Sequence, residues 1–219
     1  MKPTSSLFSL GAVLGALLVL PGCGGALGQM DLTRTGGAAD EGGLASALDA
    51  PLAVGGEVRP AIHYDTRGSA GLATHLLSPR TDVVDVRDGL LLGKAPGTAA
   101  VLVALDGDVV VDFVHVTVRP ADRVEVHGID AAGNDLGDLT ERVELVVGDE
   151  TRLVPHGYAG AQALAGVATS TWTVEPPIAV VLREGLPNRV RLVARQPGSA
   201  KVTVTMLGKT CSLPLEVVR

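Results

Sequence analysis

The chain has 219 residues and a formal net charge of −6, and 46% of its residues are hydrophobic although only 2% are aromatic. The apolar content is too high for a disordered protein, and the acidic balance argues against a nucleic-acid binder, which needs basic residues to neutralise phosphates. Two cysteines exclude a disulfide-dense scaffold, and the length fits one or two domains.

The first 22 residues are predicted to be a signal peptide. One charge, Lys2, precedes an uncharged apolar run over 7–20. This run is shorter than the roughly 20 residues that a membrane-spanning helix needs. A charged start and a short apolar core are typical of a secretory signal, so this segment is set aside in predicting the fold.

The signal ends in the sequence Leu20-Pro21-Gly22-Cys23. It resembles the lipobox of bacterial lipoproteins, although Pro21 stands where Ala or Ser is usual. The resemblance implies cleavage before Cys23, acylation of that cysteine with fatty acids such as palmitate, and a membrane anchor, because each buried CH₂ contributes about 0.8 kcal/mol. Gly24 follows where an inner-membrane lipoprotein often has Asp, which implies the outer membrane in a Gram-negative source. Ordinary secretion, with cleavage after Gly28 and loss of Cys23, is the alternative.

Residues 23–43 are predicted to be the lipidated amino terminus and a flexible tether. The stretch 24–43 contains seven Gly and no apolar periodicity. A flexible chain of about 20 residues has an end-to-end distance of roughly 25 Å, enough to hold a folded body away from a lipid surface.

The remaining chain has the pattern of an all-β protein. Short runs rich in β-branched residues alternate with Gly, Pro and Asp, and no window has a helical apolar period. Asp106-Gly107 between two such runs predicts a tight hairpin. The predicted strands are Val109–Val118, Glu141–Val147, Val190–Ala194, Lys201–Thr205 and Leu213–Val218.

The chain also repeats itself in three blocks that occur in the same order. The matched pairs are 54–57 with 147–150, 87–90 with 183–186, and 96–107 with 197–208. A repeat of this size is a domain rather than a solenoid unit. We therefore predict two tandem domains, 44–119 and 120–219. The linker Arg119-Pro120-Ala121 is short and contains Pro, so it should limit bending.

The second copy carries motifs that resemble bacterial immunoglobulin-like domains of group 2, found in intimin- and invasin-type adhesins. These motifs are Val147–Glu150, Thr169–Val174 around Trp172, Ile178–Val181 and Pro197–Val204. The first copy is degenerate, with Leu76 near the Trp position. The resemblance implies two immunoglobulin-like β-sandwiches, Trp172 in the second core, a surface setting and no shared catalytic residues.

No pattern in the sequence predicts an enzyme, a cofactor or a metal site. The five histidines form no His-x-His or His-Glu-x-x-His spacing; they are His63, His75, His115, His127 and His156. Gly208-Lys209-Thr210 lacks the earlier Gly of a phosphate loop and is predicted to be a hairpin turn. Ser69 lies in Gly68-Ser69-Ala70-Gly71, which misses the hydrolase elbow by one residue and predicts a loop.

Three further features remain open to a binding interpretation. Residues 130–138 are rich in Asp, Asn and Gly, which favours a turn, with calcium binding as the alternative. Cys211 is predicted to be a buried small hydrophobe or, alternatively, a disulfide partner for another protein. Residues 183–219 carry seven basic and two acidic side chains. Within them Arg189, Arg191 and Arg195 alternate with apolar residues, so we expect a solvated strand face or a site for an anionic partner.

These observations lead to a prediction of function. We expect a lipid-anchored cell-envelope protein, bound to the membrane through its lipid, with non-catalytic domains acting in surface adhesion or assembly. A protein or glycan is the expected partner, and the Ala- and Gly-rich insertion 156–168 is the expected variable loop that meets it. The alternative is a structural spacer or accessory subunit without a ligand of its own. A secreted enzyme is the remote alternative.

Overall fold

The computed structural model describes residues 30–34, 50–64, 74–105, 108–139 and 142–219. These residues form nineteen β-strands and no helix, which confirms the predicted all-β fold. The strands of the first module are Met30–Arg34 (β1), Leu52–Ala53 (β2), Glu57–Val58 (β3), Pro60–Tyr64 (β4), Thr74–Leu77 (β5), Val84–Arg87 (β6), Leu90–Gly93 (β7), Gly97–Leu105 (β8) and Val109–Arg119 (β9). Those of the second module are Arg123–Ile129 (β10), Asp135–Asp138 (β11), Val143–Val146 (β12), Glu150–Ala159 (β13), Gln162–Ala163 (β14), Thr171–Glu175 (β15), Ala179–Arg183 (β16), Val190–Ala194 (β17), Gly198–Met206 (β18) and Lys209–Val218 (β19).

The second module is a sandwich of two sheets. One sheet has the order β11-β10-β13-β17-β16, and the other has the order β12-β19-β18-β15. Without the added edge strand β11, the first sheet has the immunoglobulin order A-B-E-D, and the second sheet contains C, F and G. The strand β12 runs parallel to the last strand, with Val143 opposite Leu215. The predicted immunoglobulin-like sandwich is therefore present here.

The first module repeats this strand order. Its sheets are β2-β9-β8-β5 and β3-β7-β6, and β2 again runs parallel to the last strand of its module. Leu76 lies opposite Val103, as Trp172 lies opposite Val204 in the second module. The repeat in the sequence thus corresponds to a repeat of strand register, even though the first copy has no Trp.

Alternating side chains build a separate core in each module. In β17, which has the predicted bounds, Val190, Leu192 and Ala194 are buried. They belong to one core cluster with residues of the facing sheet, and a second cluster fills the first module. Trp172 lies at the margin of the second core, partly buried, where its indole N–H donates to the Ser170 hydroxyl at 2.8 Å.

The structure places one strand inside the predicted tether. The strand β1 pairs antiparallel with β4, and Leu32 lies opposite Ile62. This matches the pairing of β10 with β13 in the second module. The tether prediction therefore does not hold for residues 30–34, and the rest of the segment 23–43 lies outside the described residues.

Candidate functional site

The insertion 156–168, predicted to be a free loop for a partner, instead lies against the first module. Its backbone makes four hydrogen bonds across the junction. Ala53 N–H donates to Ala165 O at 2.9 Å, and Ala165 N–H donates to Pro51 O at 2.8 Å. Glu57 and Val167 exchange a pair of bonds, at 2.9 and 2.8 Å. We call residues 51–57 and 164–167 the inter-module contact; only 160–162 at the tip of the insertion are exposed.

Apolar side chains fill this contact. Ala53, Ala121 and Leu164 form a buried cluster against which Leu207 packs. Because Ala121 belongs to the predicted linker and is 7% exposed, the linker is part of the packed junction rather than a free hinge. The next residue, Asp122, accepts a hydrogen bond from the Gly160 amide at 2.6 Å. The two modules are therefore joined by backbone bonds and packing, and limited bending between them stays a prediction.

A polar cluster lies on the outer face of the β11-β10-β13 sheet. His127 Nδ1 lies 3.0 Å from both carboxylate oxygens of Asp135. The ring of His156 meets the ring of His127 edge-on, with centroids 4.8 Å apart. We call His127, Asp135 and His156 the histidine cluster. One ligand atom from each lies within 4.8 Å of the others.

Two further groups border the histidine cluster. Glu125 Oε2 lies 4.0 Å from His127 Nε2, and the Tyr158 hydroxyl lies 3.5 Å from the same nitrogen. Burial, reinforced by the negative charge of Glu125, raises the pKa of Tyr158 to about 12, so its hydroxyl stays protonated at neutral pH. The Arg123 guanidinium stacks on the ring of this tyrosine, 4.6 Å from its centroid.

The three arginines of the predicted anionic-partner site have different surroundings. Only Arg191 lies within β17, and its guanidinium pairs with Glu150 at 3.1 Å and with Glu184 at 3.3 Å. Arg189 is partly buried just before the strand, and Arg195 is exposed just after it. The central charge of the patch is thus already matched by two carboxylates of the same module, and binding of an anionic partner stays a prediction.

Residues 130–134 of the acidic stretch 130–138 form a turn, as its composition favours, and the remaining residues form the edge strand β11. The Asp130 carboxylate accepts from the Ala132 amide and from both the amide and the side chain of Asn134, each at 2.8 Å. The side-chain bond from Asn134 is the main cause that lowers the pKa of Asp130 below its usual value. Asp135 instead faces His127, so these two carboxylates serve different partners and do not converge.

The other candidates are structural or lie outside the described residues. Gly208 lies in the two-residue turn between β18 and β19, with φ at +70°, so the predicted hairpin is confirmed. The strands β8 and β9 pair as the Asp106-Gly107 hairpin requires, although those two turn residues are not described. Cys211 is partly buried beside the second core, and burial raises the pKa of its thiol.

Cys23 and Ser69 both lie outside the described residues, so lipidation of Cys23 stays a prediction. Across the part of the chain that the structure describes, no helix has the length and apolarity needed to cross a membrane. Three large hydrophobic side chains of β9 in the first module are exposed; they are Val109, Val110 and Phe113, with exposed fractions of 58%, 48% and 56%.

Sequence reasoning missed both the inter-module contact and the histidine cluster. The apolar pair Leu164-Ala165 within the insertion was the one signal of burial there, because a solvent-exposed loop does not need apolar side chains. For the histidine cluster no local signal exists, because its members come from three strands and only their register brings them together.

Comparison with known proteins gives a likeness in solved structures alone. No family profile matches the chain, and no curated protein sequence matches it. Domains 4 and 5 of the S-layer protein SbsC align with 77% of this chain and 94% of theirs, at 16% identity and a TM-score of 0.36.

Two further bacterial proteins give similar values. The Escherichia coli adhesin FdeC aligns at 16% identity and a TM-score of 0.35, over 77% of this chain and 60% of its own. Invasin, described as a bacterial integrin-binding protein, aligns at 15% identity and a TM-score of 0.33, over 78% of this chain and 39% of its own. With TM-scores this low, the immunoglobulin-like fold rests on the strand order described above.

Proposed function

We propose that the protein is a lipid-anchored component of the bacterial cell envelope, in which two non-catalytic immunoglobulin-like modules act in surface adhesion or assembly. The inter-module contact carries this proposal. Four backbone hydrogen bonds and a buried apolar cluster join the sandwiches, so they project from their anchor as one stiff body. Such a body suits presentation at a distance from a membrane, and the lipobox at Cys23 supports the anchor.

The anchor is tested with the two cysteines of the chain as matched variants. Cells expressing wild-type protein, Cys23→Ser or Cys211→Ser are fed an alkyne-bearing fatty acid, and the purified proteins are probed for label. Wild-type and Cys211→Ser should be labelled, and Cys23→Ser should not. Mass spectrometry should find an acylated Cys23 at the mature amino terminus, whereas an unmodified Gln29 start would contradict the anchor.

Adhesion or assembly requires an exposed surface, and the exposed apolar side chains of β9 are the ones to test; they are Val109, Val110 and Phe113. Tagged protein is crosslinked on intact cells and its partners are identified. A defined partner should be captured by wild-type protein and lost with Phe113→Ser. Leu136→Ser, at an exposed leucine of the second module, is the control for surface apolarity. Capture that is unchanged in Phe113→Ser argues against this surface.

A spacer without a ligand of its own is the second candidate function. The observation that favours it is the use of the insertion 156–168 within the molecule, since this leaves fewer free loops for a partner. A flexible Gly-Ser insertion after Pro120 should then disrupt the envelope complex, while the substitution at Phe113 should leave it intact. If instead the insertion leaves the complex intact and the substitution at Phe113 disrupts it, adhesion is supported.

A further inference from the structure

We propose that His127, Asp135 and His156 form a binding site for a divalent transition-metal ion, with Zn²⁺ as the best-fitting ion. The site is independent of the anchor and of any adhesive surface. It adds a metal to a module for which the sequence predicts none.

The strand register places the three side chains on one face. On the ladder between β10 and β13, His156 lies opposite Glu125, and His127 lies opposite Val154. Residues of one strand face the same side at intervals of two, so the two histidines are diagonal neighbours on the outer face. Their edge-on rings, 4.8 Å apart, leave nitrogen atoms close enough to share an ion.

An irregularity in the edge strand supplies the third donor. The register between β10 and β11 shifts at Gly128 and Ile129, which brings Asp135 opposite Ile129. The Asp135 carboxylate also accepts a hydrogen bond from the Gly137 amide at 2.7 Å. That bond fixes the carboxylate beside His127 before any ligand arrives.

The distances suit a tetrahedral ion with little rearrangement. Zinc binds nitrogen and oxygen at about 2.0–2.2 Å, so adjacent ligand atoms of a tetrahedral site lie roughly 3.3 Å apart. His127 Nδ1 and the Asp135 oxygens, at 3.0 Å, already lie near this separation. No pair of donors exceeds 4.8 Å, so rotation of the half-buried His156 ring would close the site.

The surroundings favour a cation. His127 is 5% exposed, so its ring is held by packing. Glu125 lies 4.0 Å from its Nε2, and Asp138 lies opposite it on the neighbouring strand. Two imidazoles and one carboxylate are a ligand set that suits Zn²⁺, and a water molecule would complete four-fold coordination.

The test is titration calorimetry of the full mature chain with ZnCl₂. The protein carries Cys23→Ser in place of the acylated residue, and its affinity tag has been removed because tags bind zinc. Wild-type protein should bind one Zn²⁺. His156→Ala and Asp135→Asn should each weaken the affinity by more than the roughly 10–100-fold that loss of an outer-sphere partner costs.

Two controls separate this site from other zinc ligands. His75 forms a comparable pair with Asp108, at 2.9 Å, but both side chains are exposed and no third donor is grouped with them among the described residues. His75→Ala and Cys211→Ser should therefore leave the affinity unchanged. X-ray absorption of the zinc-loaded protein should show nitrogen and oxygen ligands and no sulfur.

Three outcomes would overturn the proposal. These are absence of zinc binding to the wild-type protein, an affinity that His156→Ala and Asp135→Asn leave intact, or an affinity that Cys211→Ser abolishes. Because His127→Ala could unfold this buried position, the decision rests on His156 and Asp135. The circular dichroism of both variants is compared with that of the wild-type protein without metal.

Discussion

A methyl group added at Gly166 should separate the two modules. Gly166 lies between Ala165 and Val167, whose backbones make the inter-module hydrogen bonds, and its φ is +98°. A Cβ atom there would lie 2.8 Å from Leu52 Cδ1 and 3.2 Å from the Glu57 amide nitrogen. Leu52 is fully buried and Glu57 contributes backbone, so neither group can easily yield.

Gly160 provides a matched control in the same insertion. Its φ is +60°, and a Cβ there would meet nothing within 4 Å. Gly160→Ala therefore costs only the backbone strain of an L-residue at positive φ, about 1–2 kcal/mol. Gly166→Ala adds an overpacking cost of about 2 kcal/mol. At roughly 2–4 °C per kcal/mol for a chain of this size, its Tm should lie about 4–8 °C below that of Gly160→Ala.

Differential scanning calorimetry measures this difference, and small-angle scattering measures its structural cause. Wild-type protein and Gly160→Ala should unfold with the modules coupled, whereas Gly166→Ala should show two separate transitions and a broader distribution of intramolecular distances. Equal Tm values for the two variants, or an unchanged scattering profile for Gly166→Ala, would refute the argument that this contact makes the pair stiff.

The remaining predictions concern the core and two titrating groups. Leu153→Ala, at a fully buried position, should cost about 2–5 kcal/mol in urea unfolding, while Leu136→Ala, 66% exposed, should change stability by less than about 0.5 kcal/mol. The lowered pKa of Asp130 stabilises the fold above the ordinary carboxyl pKa of 3.8. The greater stability of wild-type protein relative to Asp130→Asn should therefore disappear as pH falls below that value. Acid unfolding followed by circular dichroism measures this difference. The raised pKa of Tyr158 contributes stability that is present below pH 10 and lost as pH approaches 12. Absorbance titration of a Tyr64→Phe variant, in which Tyr158 is the remaining tyrosine, should place the phenolate midpoint above pH 11. A midpoint near 10 would show the Tyr158 ring to be solvated.

Local pattern was sufficient to predict strands and the duplication of the fold. Val190, Leu192 and Ala194 occupy every second position of their run, and in β17 all three are buried on the same face. The matching blocks of the two copies correspond to equivalent registers, and Leu76 occupies the position of Trp172. Strand periodicity and turn chemistry act over a few residues, so a single sequence contains this information.

Long-range pairing was not predictable in the same way. The strand Met30–Arg34 lies in a Gly-rich stretch without apolar period, and only its partner β4 makes it a strand. The insertion 156–168 has a loop-like composition, and only the first module's edge gives its backbone partners. The histidine cluster depends on a register shift at Gly128, which no local propensity specifies.

In each sandwich the last strand pairs in parallel with an earlier strand of its module, β2 with β9 and β12 with β19, and this pairing has a mechanical consequence. A protein held at its amino terminus and pulled at its far end bears tension along the chain. In the second module, such tension draws β12 and its parallel neighbour β19 in opposite directions along their length, so the bonds that join Val143–Val146 to Leu215–Val218 are loaded together in shear. Antiparallel hairpins pulled from their open ends would instead unzip, with their bonds breaking singly and in sequence. The same strand order that closes the sandwich thus also gives it resistance to stretching along its axis.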